Sequence, residues 1–349
     1  MPSDSDPRRP GRIPRLAAIA IAAGLALSFP AVADNPYMLT VGIGILNYAV
    51  LATGWNFVGG FIGYISLGHG ALSGLGAYGT ALLVTRAGLP SFVALVVAAA
   101  IVAVLAIPIG AAALRVRGAS FVIVSIALVL ILLLVFQSWA EVTGGSRGLV
   151  VPRPFPGLHR AEHHRVFFFL FAGLLAAELC AWWVIDRSRF GLGLKAIRED
   201  EDKSEALGIP TFRFKLVVFV VSAAFTALAG GLYALWFGDL DPIFQFSVLA
   251  GSTMVLMALL GGVRHLFGPV LGALVVGAGL EYFKLAYGDT PLHLVATGLL
   301  LGAVVMVMPE GVIPAVAGLG RRWLGPREAS IREVTAGELV ERRRQDQIR

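Results

Sequence analysis

Apolar residues run along this chain in long blocks, interrupted by short polar or charged stretches. Ten blocks approach the ~20 residues a helix needs to cross a bilayer. They are 16–33, 39–62, 65–85, 91–114, 119–138, 166–186, 214–237, 248–263, 265–285 and 292–309. Lipid offers the backbone no hydrogen-bond partner, so such blocks are read as helices that satisfy their own N–H and C=O groups. The pattern predicts an all-α fold, a polytopic transmembrane helical bundle of about 10 spans. The eighth block is short and rich in glycine. Two of the interruptions are long, 139–165 and 187–215.

Composition agrees with the pattern. The chain is 57% hydrophobic and 14% charged, where a soluble domain carries roughly 25% charged residues. Its 42 glycines suit close helix contacts in a membrane. The single Cys180 excludes an intrachain disulfide and a cysteine-rich metal site. A net charge of +6 is explained by basic cytoplasmic loops beside a lipid bilayer and does not call for nucleic acid.

Charge sets the orientation. With the N-terminus inside and alternating spans, 22 of the 28 Lys and Arg residues fall on the inner side. Arg86, Arg147, Arg153, Arg160, Arg165 and Lys284 fall outside. This bias places both termini in the cytoplasm. The expected organisation is a basic N-terminus at 1–15, a membrane domain at 16–318 and a charged cytoplasmic tail at 319–349. Arg-rich residues followed by 16–30 and Ala31-Val32-Ala33 also fit a cleaved signal peptide. Retention as the first span is the expectation here.

The 187–215 interruption is the longest charged run between two spans. Lys195 to Leu207 is expected to be one helix, with Glu199 and Lys203 paired at i,i+4. Gly208 ends it in the left-handed conformation and Pro210 blocks continuation. Ile197, Ser204, Leu207 and Gly208 then share a narrow face suited to docking into a partner's groove. A solvated connecting helix fits the same periodicity.

The polar residues inside or beside spans are few. Gly63-Tyr64-Ile65-Ser66-Leu67-Gly68-His69-Gly70-Ala71 joins two spans with glycines and hydrogen-bonding groups. Such a break lines a cavity or a helix interface. Asn56, Ser66, Gly68, His69, Gly70 and Tyr78 are therefore the candidates for a translocation path. Helix packing is the alternative for the glycines, and an interhelical hydrogen bond for Asn56. Glu178 lies within a span, where an ionisable group is costly and a functional hypothesis by default. Glu281 and Lys284 read as a surface pair, and Trp182 and Trp183 as interfacial anchors. His163 and His164 read as residues of a solvated outer loop. No phosphate-binding G-x-x-x-x-G-K-[ST] loop and no metal-ligand cluster occurs, so neither ATP hydrolysis nor metal catalysis is expected of this chain.

Several motifs together carry a family resemblance. Trp55-Asn56 through Gly74-Leu75-Gly76-Ala77-Tyr78 resembles the signature of permease subunits of branched-chain amino acid ABC importers. Arg187-Ser188-Arg189-Phe190-Gly191, Ala196-Ile197-Arg198-Glu199-Asp200-Glu201 and Glu205-Ala206-Leu207-Gly208-Ile209 resemble the family's coupling segment. Thr143-Gly144-Gly145-Ser146-Arg147-Gly148-Leu149, Gly261-Gly262, Gly268-Pro269, Gly272-Ala273 and Met308-Pro309-Glu310-Gly311 also fit. Arg264-His265 departs from the small residues usual between the late glycines. The resemblance spans about 35–318.

It implies an ABC importer permease in the bacterial inner membrane, working without a cofactor of its own while ATP binds a partner chain. The implied partners are a second homologous permease, two nucleotide-binding ATPase subunits and a periplasmic substrate-binding protein. Ile197, Arg198, Glu199, Ser204, Glu205, Ala206, Leu207 and Gly208 would meet the ATPase. The implied cargo is leucine, isoleucine, valine or a related small amino acid. A urea or short-chain amide importer of the same superfamily, or an ion-coupled secondary transporter with Glu178 as proton site, are the alternatives.

Overall fold

The computed structural model describes residues 28–30, 35–288, 295 and 298. The 1–15 terminus, the 319–349 tail, the Met308–Gly311 motif and nearly all of the expected spans 16–33 and 292–309 lie outside the described residues. Eight long helices correspond to the other eight expected spans. These are α1 (Pro36–Ile62), α2 (His69–Thr85), α3 (Ser91–Ala113), α4 (Ala119–Ser138) and α5 (Arg160–Arg187). Two shorter helices follow, α6 (Arg189–Glu199) and α7 (Glu201–Ala206), then α8 (Thr211–Phe237), α9 (Val248–Gly261) and α10 (Gly268–Tyr287). Among the described residues, six helices are long and apolar enough to cross a membrane; α9 counts among them with the turn at Pro242–Gln245 that precedes it. The 17-residue α2 and the apolar part of α10 are shorter.

Local chemistry sets several of the ends. Asn35 caps α1 by accepting the Tyr37 N–H at 2.9 Å, and Pro36 supplies a fixed φ at the first helical position. Gly63 stops α1 at φ +74°, a conformation that a side chain resists.

α1 and α8 form the centre. α8 packs on α1, α2 and α3, while α5 and α10 pack on α1. Their most apolar windows are 61% and 56% buried, against 17% for α4, which leaves most of its apolar surface facing outward. Backbones approach closely where glycine permits. A Cβ on Gly76 would overlap the Ala227 carbonyl, and one on Gly230 the Ser73 carbonyl. Van der Waals contact between bare backbones is what joins helices where lipid removes the hydrophobic drive.

The connections segregate by end. At one end, Tyr64, Arg117, Glu201 and Lys215 meet, and the Arg264 guanidinium lies 3.5 Å from the Glu199 carboxylate. At the other end, Arg86 donates to the Glu141 carbonyl at 2.6 Å. There also β1 (Leu149–Val150) pairs antiparallel with β2 (Asp239–Leu240). The loops thus alternate between ends as the charge pattern requires.

Two local expectations are corrected. His163 and His164 sit in the first turns of α5, which begins at Arg160, and not in a solvated loop. His164 Nδ1 accepts the Trp236 indole N–H at 3.0 Å, and His163 is buried against Phe167. Trp182 is a packing residue: it is 7% exposed and stacks on Phe61 at 5.0 Å. Trp183 is exposed beneath the Arg187 guanidinium, as an interfacial residue would be. Glu281 accepts the Tyr37 hydroxyl of α1 at 3.2 Å, while the Lys284 side chain of its expected pair lies outside the described residues.

The charged loop also differs. Lys195 to Leu207 is not one helix. Asp200 takes an extended φ of −160°, ends α6 and caps α7 by accepting the Lys203 N–H at 3.0 Å. Lys203 then pairs with Asp200 at 2.8 Å and Glu199 with Arg264, so the Glu199–Lys203 pair does not form. The single docking face dissolves with it. Ile197 and Ser204 are each 3% exposed and face the bundle, whereas Leu207 is 81% exposed.

Candidate functional site

The break between α1 and α2 is held by hydrogen bonds to Trp55 of α1 and Ser125 of α4. After Gly63 the chain leaves helical geometry until His69. Its backbone groups still need partners inside a bundle. The Trp55 indole N–H donates to the Ser66 carbonyl at 2.7 Å, and the Leu67 N–H donates to Ser125 Oγ at 3.0 Å. Trp55 belongs to α1 and Ser125 to α4. The break is buried at Ser66 and Gly68 and exposed at Gly63 and Ile65.

His69 opens α2 and is fully buried. Its Nδ1 lies 2.9 Å from Ser66 Oγ and its Nε2 lies 2.7 Å from Ser222 Oγ. Ser222 Oγ in turn donates to the Gly54 carbonyl at 2.6 Å. A hydroxyl has one proton. Ser222 gives its proton to Gly54, so it accepts from His69 Nε2–H. Nδ1 then accepts from the Ser66 hydroxyl. The imidazole is neutral and its tautomer is fixed by neighbours on both sides. One polar chain thus runs from the break through α2 and α8 to α1.

The glycines of the break serve close approach. A Cβ on Gly68 would lie 3.2 Å from the Ser125 carbonyl, and one on Gly70 3.0 Å from the Ser247 carbonyl. Above them a cavity of about 320 Å³ opens between α3 and α4, with Ser66, Gly68 and Ser125 on one side and Ile109, Phe121 and Phe219 among its apolar walls. That volume is at the lower end of the ~300–1,000 Å³ that holds small molecules.

The other path candidates lie elsewhere. Asn56 is buried on α1 beside Gly60, and neither of its amide atoms has a hydrogen-bond partner among the described residues. The expected interhelical bond is therefore not formed there. Tyr78 sits about 13 Å further along α2 by helical rise. It lies beneath the β1–β2 pair, where its hydroxyl donates to the Leu240 carbonyl at 3.3 Å and its ring packs on Phe136 and Phe246. Glu178 is fully buried on α5, close to Gly54 and Thr226, and neither of its oxygens has a hydrogen-bond partner among the described residues.

The residues of the 187–215 loop divide into two sets. Glu205, Ala206, Leu207 and Gly208 are exposed, and Gly208 has the expected left-handed φ of +84°. Ile197, Arg198 and Ser204 face the bundle. The Arg198 guanidinium donates to the Gly60 carbonyl in the last turn of α1. A cation there satisfies an orphan carbonyl and complements the helix dipole.

A cluster that the sequence did not reveal lies beside it. Glu201 receives Lys215 and, at 3.1 Å, Arg117. The Tyr64 hydroxyl donates to Glu201 at 3.0 Å and accepts from Lys215 at 3.1 Å. Burial first, and then the neighbouring Glu201, push the Tyr64 hydroxyl well above its ordinary value, so it stays a proton donor. Among the described residues, no group of three or more His, Cys, Asp or Glu side chains is placed to hold a metal.

Residues 37–309 match a family described as branched-chain amino acid transport system, permease component. The chain is 29% identical over 312 residues to the high-affinity branched-chain amino acid transport system permease protein LivM of Escherichia coli K12, covering 80% of this chain and 72% of LivM. It is 28% identical over 286 residues to LivH of the same strain, covering 76% of this chain and 91% of LivH. To BraD of Pseudomonas aeruginosa it is 28% identical over 294 residues, covering 79% and 93%. No solved structure gives a significant match. Matched over most of its length by this family and built of apolar helices, the chain belongs to the family of branched-chain amino acid transport permeases.

Proposed function

We propose that this chain is the permease subunit of an ATP-binding cassette importer that moves branched-chain amino acids, or related small amino acids, across the bacterial inner membrane. The observation that carries the reading is the family match over residues 37–309. The broken segment supports it: Ser66, Gly68 and Ser125 border a cavity whose walls are almost wholly apolar, which suits an aliphatic side chain. Transport proceeds by alternating access. Separate ATPase subunits bind and hydrolyse ATP, and closure of those subunits against the exposed 205–208 segment reorients the spans. A second homologous permease and a periplasmic binding protein complete the assembly. Ten spans with both termini cytoplasmic remain our reading of the topology.

The test is reconstitution. The purified chain in liposomes should neither hydrolyse ATP nor accumulate leucine, and both activities should appear when the second permease, the ATPase subunits and the binding protein are added. Uptake by the chain alone under a proton gradient would overturn the reading and make Glu178, buried without a partner, the first suspect for a proton site.

A further inference from the structure

Lys215, near the start of α8, is 2% exposed. A lysine so buried requires acceptors for each of its three protons. It has them in Glu201, in the Tyr64 hydroxyl at 3.1 Å and in the Leu114 carbonyl at 3.4 Å. Leu114 is the C-cap of α3, so the third bond also occupies an orphan carbonyl at a helix end. Glu201 is equally well supplied. One oxygen receives Lys215 and Arg117, and the other receives the Tyr64 hydroxyl. A buried polar network with every member satisfied holds one geometry. Asn56 and Glu178, without partners, show the contrast.

What the network joins matters more than how tightly it is made. Tyr64 belongs to the break, Arg117 to the α3–α4 connection, Lys215 to the root of α8 and Glu201 to the first turn of α7. A second contact joins the same loop to the same break. Arg198 donates to the Gly60 carbonyl, and its stem lies over Gly63, where a Cβ would come within 3.3 Å of Arg198 Cγ. The loop therefore holds the end of α1 through Arg198 and the start of the break through Glu201. Glu201 touches Tyr64, and Tyr64 is two residues from Ser66, which holds His69. The covalent route from α7 into α8 instead passes through Gly208, at φ +84°, and Pro210.

We propose that Glu201 is a positioning residue for transport: it ties α7 to the 63–68 break, so that a push on the exposed 205–208 segment reaches Ser66 and His69 directly. This rests on the permease reading given above. A residue that merely kept its own helix folded would leave the break unaffected, and that difference decides the matter.

The experiment uses the full chain assembled with the second permease, the ATPase subunits and the binding protein in lipid vesicles. Glu201→Gln keeps the shape and removes the charge. Tyr64→Phe removes one hydroxyl and leaves the ring packed edge-on against Phe121 at 5.0 Å. Both complexes should assemble and hydrolyse ATP near the normal rate. Leucine taken up per ATP should fall on the order of tenfold for Glu201→Gln and by a smaller factor for Tyr64→Phe. Backbone amide exchange over 63–68 should quicken on the order of tenfold in Glu201→Gln. Unchanged uptake per ATP, or faster exchange at 200–208 with none at 63–68, overturns the proposal. If the glutamine variant fails to accumulate, Tyr64→Phe carries the same test. If the unaltered complex fails to transport, the permease reading falls. The exchange comparison, made on the purified chain, still decides whether Glu201 holds the break.

Discussion

Ser222→Ala is a direct test of the polar chain at the break. The hydroxyl is fully buried, donates to the Gly54 carbonyl at 2.6 Å and accepts from His69 Nε2–H at 2.7 Å. Removing it leaves His69 Nε2–H without its partner and takes from the Gly54 carbonyl the bond it accepts in addition to its own helical one, two hydrogen bonds in all. In a soluble core each orphan costs about 1–3 kcal/mol. Interhelical hydrogen bonds in membranes average about 0.6 and reach about 1.7 kcal/mol, because the unfolded chain in lipid finds partners too. Two such losses give roughly 1–3 kcal/mol. By the scaling of larger domains this lowers Tm by roughly 3–8 °C. The assay is thermal unfolding of the purified protein in detergent, followed by tryptophan fluorescence. Ser252→Ala is the control, since its hydroxyl only returns to the Val248 carbonyl of its own helix at 3.0 Å, and it should shift Tm by less than ~1 °C. If Ser222→Ala melts with the unaltered protein, the His69 ring and the Gly54 carbonyl have other partners, and the tautomer assigned to His69 is wrong.

Gly76→Ala and Gly230→Ala should each destabilise the bundle by about 1–3 kcal/mol or more, because the new methyl meets backbone and not a movable side chain. Gly173→Ala, with no heavy atom within 4 Å of the new methyl, should be neutral in the same unfolding assay. Ala206→Trp should leave membrane insertion intact but abolish leucine uptake and weaken co-purification of the ATPase, while Lys203→Ala changes uptake little, since an exposed ion pair contributes only tenths of a kcal/mol. Normal uptake by the tryptophan variant would reduce the 205–208 segment to a solvated connector. In a Cys180→Ala background, Glu205→Cys should resist impermeant thiol reagents in intact cells and react once the inner face is opened. Labelling from outside would reverse the topology.

The spans were legible because a bilayer imposes length and apolarity on every helix that crosses it. Helix ends were legible where one residue acts alone. Asn35-Pro36, Gly63, Gly208 and Pro210 each do what their backbone chemistry requires. The expected continuity of Lys195 to Leu207 failed because two local preferences compete at Asp200. An i,i+4 pair contributes about 0.3–0.5 kcal/mol, whereas an N-cap aspartate contributes about 1. Magnitude favours the cap, and Lys203 follows by turning back to Asp200. Weighing those two numbers would have found the break, and with it the inward turn of Ile197 and Ser204.

The Glu201 cluster belongs to another class. Its partners lie 137 residues away at Tyr64 and 14 residues away at Lys215, and no periodicity links them. In the sequence Lys215 is one more basic residue on the cytoplasmic side, where a long side chain is expected to reach for water. It turns inward because three acceptors from three segments converge on it, and that convergence exists only after the chain has folded. Glu178 and Asn56 are the opposite case. Their cost was plain from the sequence, since each places polar atoms within a span, yet folding supplies them with no partner among the described residues. Polarity inside a span therefore identified where the bundle is under strain, while the junction between loop and break arose from charges that looked solvated. Ser66 and His69 join the two: polar enough to be singled out in the sequence, and fixed in place by Ser222 and Gly54 from helices that no pattern along the chain brings together.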